Sequence, residues 1–297
     1  MGRNPRAKKS LGQHFLVDRR VLVRIVRAAE ISENDTIVEI GPGRGILTRR
    51  LAESAEHVVA VEIDRDLADA LTTEFKGRPG VKVICADARE SDIEQLVPGN
   101  GPYKLVANLP YYSASPIIRR FLGADRKPQR MVVMVQREVA QSMTAGPGKM
   151  SLMSVAVQLY GVSRIVCYAP PRAFRPAPKV TSAVVRIDLL PTPAIAFDRE
   201  EDLFTLLRAG FSAPRKQIRN SLSKGLSVPS EIAEKMLSRS LIDPTRRSAT
   251  LSLAEWGNLY AEFRSLLPAH GGRAARAGRR RRSRSQDKKH ADAKGVR

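Results

Sequence analysis

The run Val106-Ala107-Asn108-Leu109-Pro110-Tyr111-Tyr112 combines residue types that suit chemistry on an exocyclic amino group of a nucleobase. Such a nitrogen is a poor nucleophile, because its lone pair is delocalised into the ring. The Asn108 side-chain oxygen and a neighbouring main-chain carbonyl can each accept one N–H. That pairing holds the nitrogen nearer to tetrahedral, with its lone pair aimed at an electrophile. Pro110 stiffens the turn, and Tyr111 or Tyr112 offers a flat face on which a flipped base can stack. Taken alone, the same residues suit a strand end followed by a proline turn. Partners upstream in the chain decide between the two.

Glu39-Ile40-Gly41-Pro42-Gly43-Arg44-Gly45 follows a strand-like run and opens a helical one. Glycines there let a ligand approach the backbone where a side chain would block it. The spacing is G-x-G-x-G, not the G-x-G-x-x-G of dinucleotide folds. A nucleoside with a short charged side chain fits such a loop better than a pyrophosphate. Glu62 ends the next strand-like run, where a carboxylate can accept both ribose hydroxyls. Asp87 ends the third and is placed to accept a hydrogen bond from an adenine amino group. Gly41–Gly45, Glu62, Asp87 and Asn108 thus fall at the carboxyl ends of successive strands, the rim where an open sheet binds ligand. The combination points to S-adenosylmethionine as methyl donor and a base amino group as acceptor. Transfer from a sulfonium is mostly alignment and desolvation. No metal constellation is read from the scattered His14, His57, His270 and His290, and no nucleophile triad has support.

The elements that must position these residues alternate. Residues 18–30 read as a helix capped by Asp18, with Val21, Leu22, Ile25, Val26 and Ala29 on one face. Strands are expected at 36–40, 57–63, 81–86, 104–107 and 131–136, with helices at 46–53, 67–75 and 116–122 between them. Helical signals run from 136 to Tyr160, interrupted by Gly146-Pro147-Gly148. Two closing strands are expected at 164–168 and 183–189. This is the pattern of an α/β, Rossmann-like, mostly parallel doubly wound sheet. From about 191 the strands stop, and helices are expected at 202–213, 215–222, 230–237 and 252–267. The expected division is a methyltransferase domain over 1–190, a small all-helical RNA-recognition domain over 191–268, and a basic disordered tail over 269–297.

The 297 residues carry a net charge of +21, which calls for a polyanionic partner, with nucleic acid ahead of an anionic membrane. Residues 269–297 account for +9 of it, so the rest of the chain remains strongly basic. Cys85 and Cys167 are too few for a disulfide framework and read as buried thiols of a reducing compartment. No apolar run reaches membrane-spanning length, and the basic N-terminus lacks an apolar signal core. A cytoplasmic protein without membrane contact is expected.

These residues resemble the ribosomal RNA adenine N6-dimethyltransferase family, and within it the KsgA (RsmA) type. The resemblance runs from about Ser10 to Leu267. It is carried by Leu11-Gly12-Gln13-His14-Phe15-Leu16, Glu39–Gly45 with Leu47-Thr48, Asn108–Tyr111 and Gln136–Ala140. It continues through Phe174–Val180 with Ser182-Ala183-Val184, then Phe211, Pro214-Arg215-Lys216 and Asn220-Ser221-Leu222. It implies that His14, Leu16, Gly41, Gly43, Glu62, Asp87 and Asn108 line the methyl-donor site, with His14 standing where the family often has Asn. It also implies that Asn108, Leu109, Pro110 and Tyr111 hold the target adenine, with Phe174 as a second face for the base. The implied reaction is dimethylation of two adjacent adenosines near the 3′ end of 16S rRNA, on an immature 30S subunit, and the small helical domain and basic surface lead us to expect a monomer. The 146–153 loop departs from the family by its shortness and by lacking a tyrosine-glycine pair, which bears on the substrate entrance.

Arg215, Lys216 and Arg219 are expected on one helical segment as phosphate contacts, with Arg246, Arg247, Arg119 and Arg120 as further candidates. An Erm-type enzyme acting on 23S rRNA would share the fold and the site. A noncatalytic assembly factor would share the fold alone. The intact Gly41–Gly45, Glu62, Asp87 and Asn108 set argues against the second.

Overall fold

The computed structural model describes residues 7–97 and 99–270. Its elements are β1 (Phe15–Leu16), α1 (Arg19–Ala29), β2 (Thr36–Ile40), α2 (Ile46–Ala52), β3 (His57–Glu62), α3 (Arg65–Glu74), β4 (Val81–Cys85) and α4 (Ile93–Leu96). They continue with β5 (Tyr103–Asn108), α5 (Ala114–Leu122), β6 (Arg130–Gln136), α6 (Arg137–Met143), α7 (Leu152–Gln158), β7 (Gly161–Ala169), β8 (Phe174–Arg175) and β9 (Ser182–Leu189). Four helices follow: α8 (Glu200–Gly210), α9 (Ile218–Leu226), α10 (Ser230–Arg239) and α11 (Leu253–His270).

The main sheet has the order β4-β3-β2-β5-β6-β9-β7. Its first five strands pair in parallel, while β9 and β7 close it antiparallel. The central strands are buried along their length, Ile37, Val38, Leu105, Ala107 and Val133 having no more than trace exposure. That is why their sequences run apolar without alternation. Side chains of α1 begin the packing on one face: Val21, Leu22, Ile25, Ala28 and Ala29 join Leu51, Val106, Val132 and Val184 in one core. Asp18 caps α1 by accepting from the Arg20 and Val21 amides at 2.8 and 3.3 Å, which satisfies two otherwise orphaned donors.

Tight turns carry the strand ends into helices. In β2 the chain leaves the sheet through Gly41, Gly43 and Gly45, all at positive φ. Gly43 is needed twice over, for its φ of 58° and because a Cβ there would stand 2.9 Å from the Phe15 ring. A second, two-stranded ladder pairs Phe15 with Arg175 and Leu16 with Phe174. It was not expected from the sequence, since two residues are too few to show a period. The short α4 was likewise missed.

The chain divides into two compact units, one ending at Ile195 and the other starting at Ala196, so the break falls five residues beyond the expected boundary at 190. The second unit holds only helices among its described residues. Its core is built on Trp256, fully buried, with Phe211 at 5.3 Å between ring centroids. One expectation there is corrected. Arg215 and Lys216 do not lie on a helix: Lys216 N–H closes a turn onto Ala213 O at 2.9 Å, and α9 starts only at Ile218. Gln217 is extended with ψ 146°, and Pro214 offers no amide to continue α8. Of the expected cluster only Arg219 rides on the helix, paired with Glu234 at 3.3 Å. Helix α11 extends to His270, past the expected tail start, and residues 271–297 lie outside the described residues.

Candidate active site

One cavity at the carboxyl rim of the parallel strands is lined by Leu11–Phe15, Gly41, Gly43, Glu62, Ile63, Asn108–Tyr111 and Phe174. It gathers nine of the expected residues: His14, Gly41, Gly43, Glu62, Asn108, Leu109, Pro110, Tyr111 and Phe174. Each strand end delivers one part. From β2 come the glycines, from β3 the carboxylate and from β5 the amide.

Glu62 is buried, with 5% exposure. One of its carboxylate oxygens accepts the Gly43 N–H at 3.0 Å and the other the Asp64 N–H at 3.0 Å. These bonds fix the carboxylate against the glycine loop while lone pairs on both oxygens remain. Burial nevertheless raises its pKa above the ordinary glutamate value. Ile63, next in the chain, is 38% exposed. An apolar side chain left open beside a buried carboxylate is a surface for a flat ring, and that exposure is the signal by which it could have been found.

Asn108 donates its side-chain N–H to the His14 carbonyl at 3.2 Å. That bond orients the amide and leaves Oδ1 as an acceptor. The Pro110 carbonyl is occupied by the Ser113 amide at 3.1 Å and hydroxyl at 3.2 Å. The Leu109 carbonyl is therefore the open main-chain acceptor beside Asn108. Leu109 itself is anchored through its N–H to Met134 O at 3.2 Å. Tyr111 bonds Ser182 Oγ at 2.7 Å, and its ring stacks on His14 at 5.7 Å between centroids. His14 Nδ1–H donates to Pro176 O at 2.8 Å, so the 2-stranded ladder and this bond bring the 174–176 loop to the same rim.

The N-terminal arm is clasped over the β3 end. Lys8 Nζ lies 2.6 Å from Asp64 and 2.8 Å from Asp66, and Gln13 Nε2 donates to Asp64 at 2.9 Å. Gln13 and Phe15 also line the cavity, beyond the residues expected there.

Two expected residues do not line the cavity. Leu16 is 4% exposed and belongs to the core beneath α1, because successive strand residues point to opposite faces and Phe15 takes the cavity side. Asp87 lies in the turn two residues beyond the end of β4 at Cys85, not on the strand itself, and its carboxylate is held by Arg89, Nη2 at 2.5 Å and Nε at 3.0 Å. Arg215, Lys216 and Arg219 belong to the second unit. Among the described residues no group of three or more His, Cys, Asp or Glu is placed to hold a metal ion.

Beneath the site Glu39 is buried at 1% exposure, and its Oε2 has no hydrogen-bond partner. Burial, with the charge of Glu62 adding to it, pushes its carboxyl up to about 8. The folded state thus keeps the proton where the unfolded chain, at 4.5, has lost it. This stabilisation is complete below 4.5 and is lost as pH rises through 8. Replacing Glu39 with Gln is expected to stabilise the protein above pH 8 relative to its effect near pH 4.5, by on the order of 1–3 kcal/mol. Thermal unfolding of both proteins across that range checks it, and a pH-independent difference would contradict it.

A mostly parallel seven-stranded sheet with a glycine loop after β2 and acceptors ending β3 and β5 on either side of it defines a class I methyltransferase. Residues 4–265 match the family model described as ribosomal RNA adenine dimethylase. The chain belongs to that family. It is 44% identical to "Ribosomal RNA small subunit methyltransferase A" of Dehalococcoides mccartyi, over 87% of this chain and 89% of that one. The protein of the same name from Alkaliphilus oremlandii is 42% identical, over 84% and 90%. Among solved structures it is similar to a dimethyladenosine transferase from Plasmodium falciparum, with TM-score 0.73, 25% identity and coverage of 85% and 98%. The 23S rRNA methyltransferase ErmE gives TM-score 0.66 at 28% identity, covering 84% and 99%.

Proposed function

We propose that the protein uses S-adenosylmethionine to dimethylate the N6 amino groups of two adjacent adenosines near the 3′ end of 16S rRNA. The observation that carries this reading is the pair of open acceptors, Asn108 Oδ1 and Leu109 O, on the cavity that also holds the buried Glu62. Two acceptors side by side suit an amino group with two N–H donors. The names of the relatives support the small subunit as its source.

The cavity fits the donor on its own chemistry. Gly41 has a φ of 70° and approaches the Asn108 carbonyl, and Gly43 has no room for a side chain, so a ligand meets bare backbone there. Glu62 keeps lone pairs for the two ribose hydroxyls, and Ile63 lies beside it for the adenine ring. Asp87, at the neighbouring strand end, offers the adenine amino group whatever lone pairs Arg89 leaves. His14 orients Asn108 through its carbonyl. S-adenosylmethionine supplies a methyl group already activated on a sulfonium.

On the acceptor side, Tyr111 faces the base, and Phe174, on the cavity lining but 1% exposed in the core, backs that wall. Asn108 Oδ1 and Leu109 O accept the N6 hydrogens and turn the lone pair out of conjugation with the ring. After the first transfer one acceptor still has an N–H to hold, so a monomethylated base keeps half of the grip. The released proton needs no strong base. In this reading residues 1–190 perform the transfer, the helices of 191–268, with Arg215, Lys216 and Arg219, contact RNA, and the protein works as a cytoplasmic monomer on an immature 30S particle.

The likeness to ErmE supports a second reading, methylation of 23S rRNA. Labelled S-adenosylmethionine offered to unmodified 30S and 50S particles in parallel separates the two. Label is expected in the small subunit, and label in the large subunit alone would replace the first reading by the second.

A further inference from the structure

Helix α1 has the sequence RRVLVRIVRAA, with no acidic residue in its first turn. Cations at a helix N-terminus oppose the helix dipole, and Arg20 and Arg24, at i and i+4, repel each other. Its apolar positions are buried in the core, so Arg20, Arg24 and Arg27 form a stripe on the outer face. Beside them Arg164 on β7 stands directly opposite Arg186 on β9, a cross-strand pairing of like charge that also costs stability. Asp18 at the N-cap offsets the first of these, and Glu30 and Asp188 neutralise Arg186, but Arg27 and Arg164 are left without a carboxylate among the described residues.

The side chains converge. A groove of about 290 Å³ is lined by Arg24, Arg27, Ala28, Glu30, Arg164, Val166 and Arg186. The one carboxylate that lines it, and the neighbouring Asp188, are already taken. Glu30 pairs with Arg186 and, at 2.7 Å, with Arg130, while Asp188 pairs with Arg130 at 2.5 Å and Arg186 at 2.7 Å. Arg24 is turned toward the Cys167 thiol. Arg27 and Arg164 have no carboxylate partner among the described residues, and both are exposed. Four arginines and one acid therefore line the groove, and with the adjoining Arg130 and Asp188 the cluster holds five arginines against two acids, leaving two guanidinium forks open to solvent.

Arg130 opens β6, four residues before Met134, which pairs with Asn108. Of the groove's own residues, Arg186 is in register with Val132, two residues before Met134, and Arg164 stands on β7, three strands across from β5. At about 3.3 Å per residue and about 4.8 Å per strand the groove is displaced roughly 7 Å along and roughly 14 Å across the sheet from Asn108. The target adenosines cannot occupy both places, but a folded RNA extending beyond them can.

We propose that this groove is a second RNA-binding site, in which Arg27, Arg164 and the α1 stripe clamp backbone phosphates of the substrate rRNA remote from the modified bases. Guanidinium forks match phosphate oxygens bidentately, and a polyanion is the partner that would engage the unpaired Arg27 and Arg164. The proposal rests on the rRNA reading above, yet its test does not depend on methyl transfer.

The test is binding of the full chain, without methyl donor, to complete small-subunit rRNA and to a short hairpin carrying the target adenosines, over a series of salt concentrations. Arg27→Gln with Arg164→Gln is expected to weaken binding to the long RNA roughly tenfold and to lower the salt slope by about 1.5, while hairpin binding is unchanged. A matched pair at the opposite sheet edge, Lys76→Gln with Lys82→Gln, is expected to leave the slope in place. Unchanged slope in the arginine variant, or an equal loss on the hairpin, overturns the groove as a distinct site. If the wild-type protein prefers large-subunit rRNA, the substrate assignment fails, and the same slope comparison made on that RNA still decides the groove.

Discussion

Asn108→Ala is expected to lower kcat for methyl transfer by roughly two to three orders of magnitude, the loss seen when one preorganised polar group facing the reacting atoms is removed. Binding of rRNA and of S-adenosylmethionine should change far less. The reason is local. Asn108 spends its N–H on the His14 carbonyl, so its oxygen has one free task at the rim. Alanine removes that acceptor and leaves the base amino group conjugated with its ring. The loss should fall on kcat more than on KM, because the second acceptor, Leu109 O, and the stacking faces remain. Asn108→Asp should recover little, since a carboxylate has no N–H to give His14 and sits unpaired against a carbonyl. Single-turnover rates at saturating donor make the comparison, and a kcat within about threefold of wild type would remove Asn108 from the proposed role.

Glu62→Ala is expected to weaken S-adenosylmethionine binding by about a hundredfold or more, as two hydrogen bonds to a charged acceptor are lost at ~1.5–3 kcal/mol each. It should also cost stability, because Gly43 N–H and Asp64 N–H lose their acceptor. Glu62→Gln separates the two effects. It can still accept one of these amides, so folding suffers less than donor affinity. The pH dependence has a definite sign. Burial raises the Glu62 pKa in the folded protein, and the ribose hydroxyls need the ionised form. Donor affinity should therefore fall as pH drops through that raised value, and the Gln variant should lose this dependence. Calorimetric titration with S-adenosylmethionine across the acidic range reads both. An affinity that stays flat with pH in the wild-type protein would contradict the role given to Glu62.

The strand ends carrying these two residues were legible in the sequence because buried parallel strands read as short apolar runs and each stops at a residue that breaks the run. Glu62, Asp87 and Asn108 stand out by that contrast, and Gly41–Gly45 by a spacing that few loops need. What was not legible depended on long-range pairing. His14 reaches Pro176 across 162 positions, and the ladder that places it there is two residues per strand. No periodicity records such a contact, so the distinction between Phe15 at the cavity and Leu16 in the core was lost. Asp87 falls in the turn just past β4, which ends at Cys85, and its partner Arg89, two residues on, depends on a turn geometry that the residue types do not specify. Arg215 and Lys216 were placed on a helix because basic residues carry no helix-breaking signal, whereas the amide of Ile218 is claimed by Arg246 O at 2.7 Å and sets the helix start. The arginines of α1 carry no signal of their own in the sequence, and only the fold brings Arg164 and Arg186 alongside them.

The most direct measurement is mass analysis of the modified nucleosides after complete reaction with unmodified 30S particles, with the position mapped along the 16S rRNA. The expected result is N6,N6-dimethyladenosine at two adjacent adenosines near the 3′ end, four methyl groups per RNA, and none with Asn108→Ala. Methylation confined to 23S rRNA, or no transfer to either subunit, would contradict it.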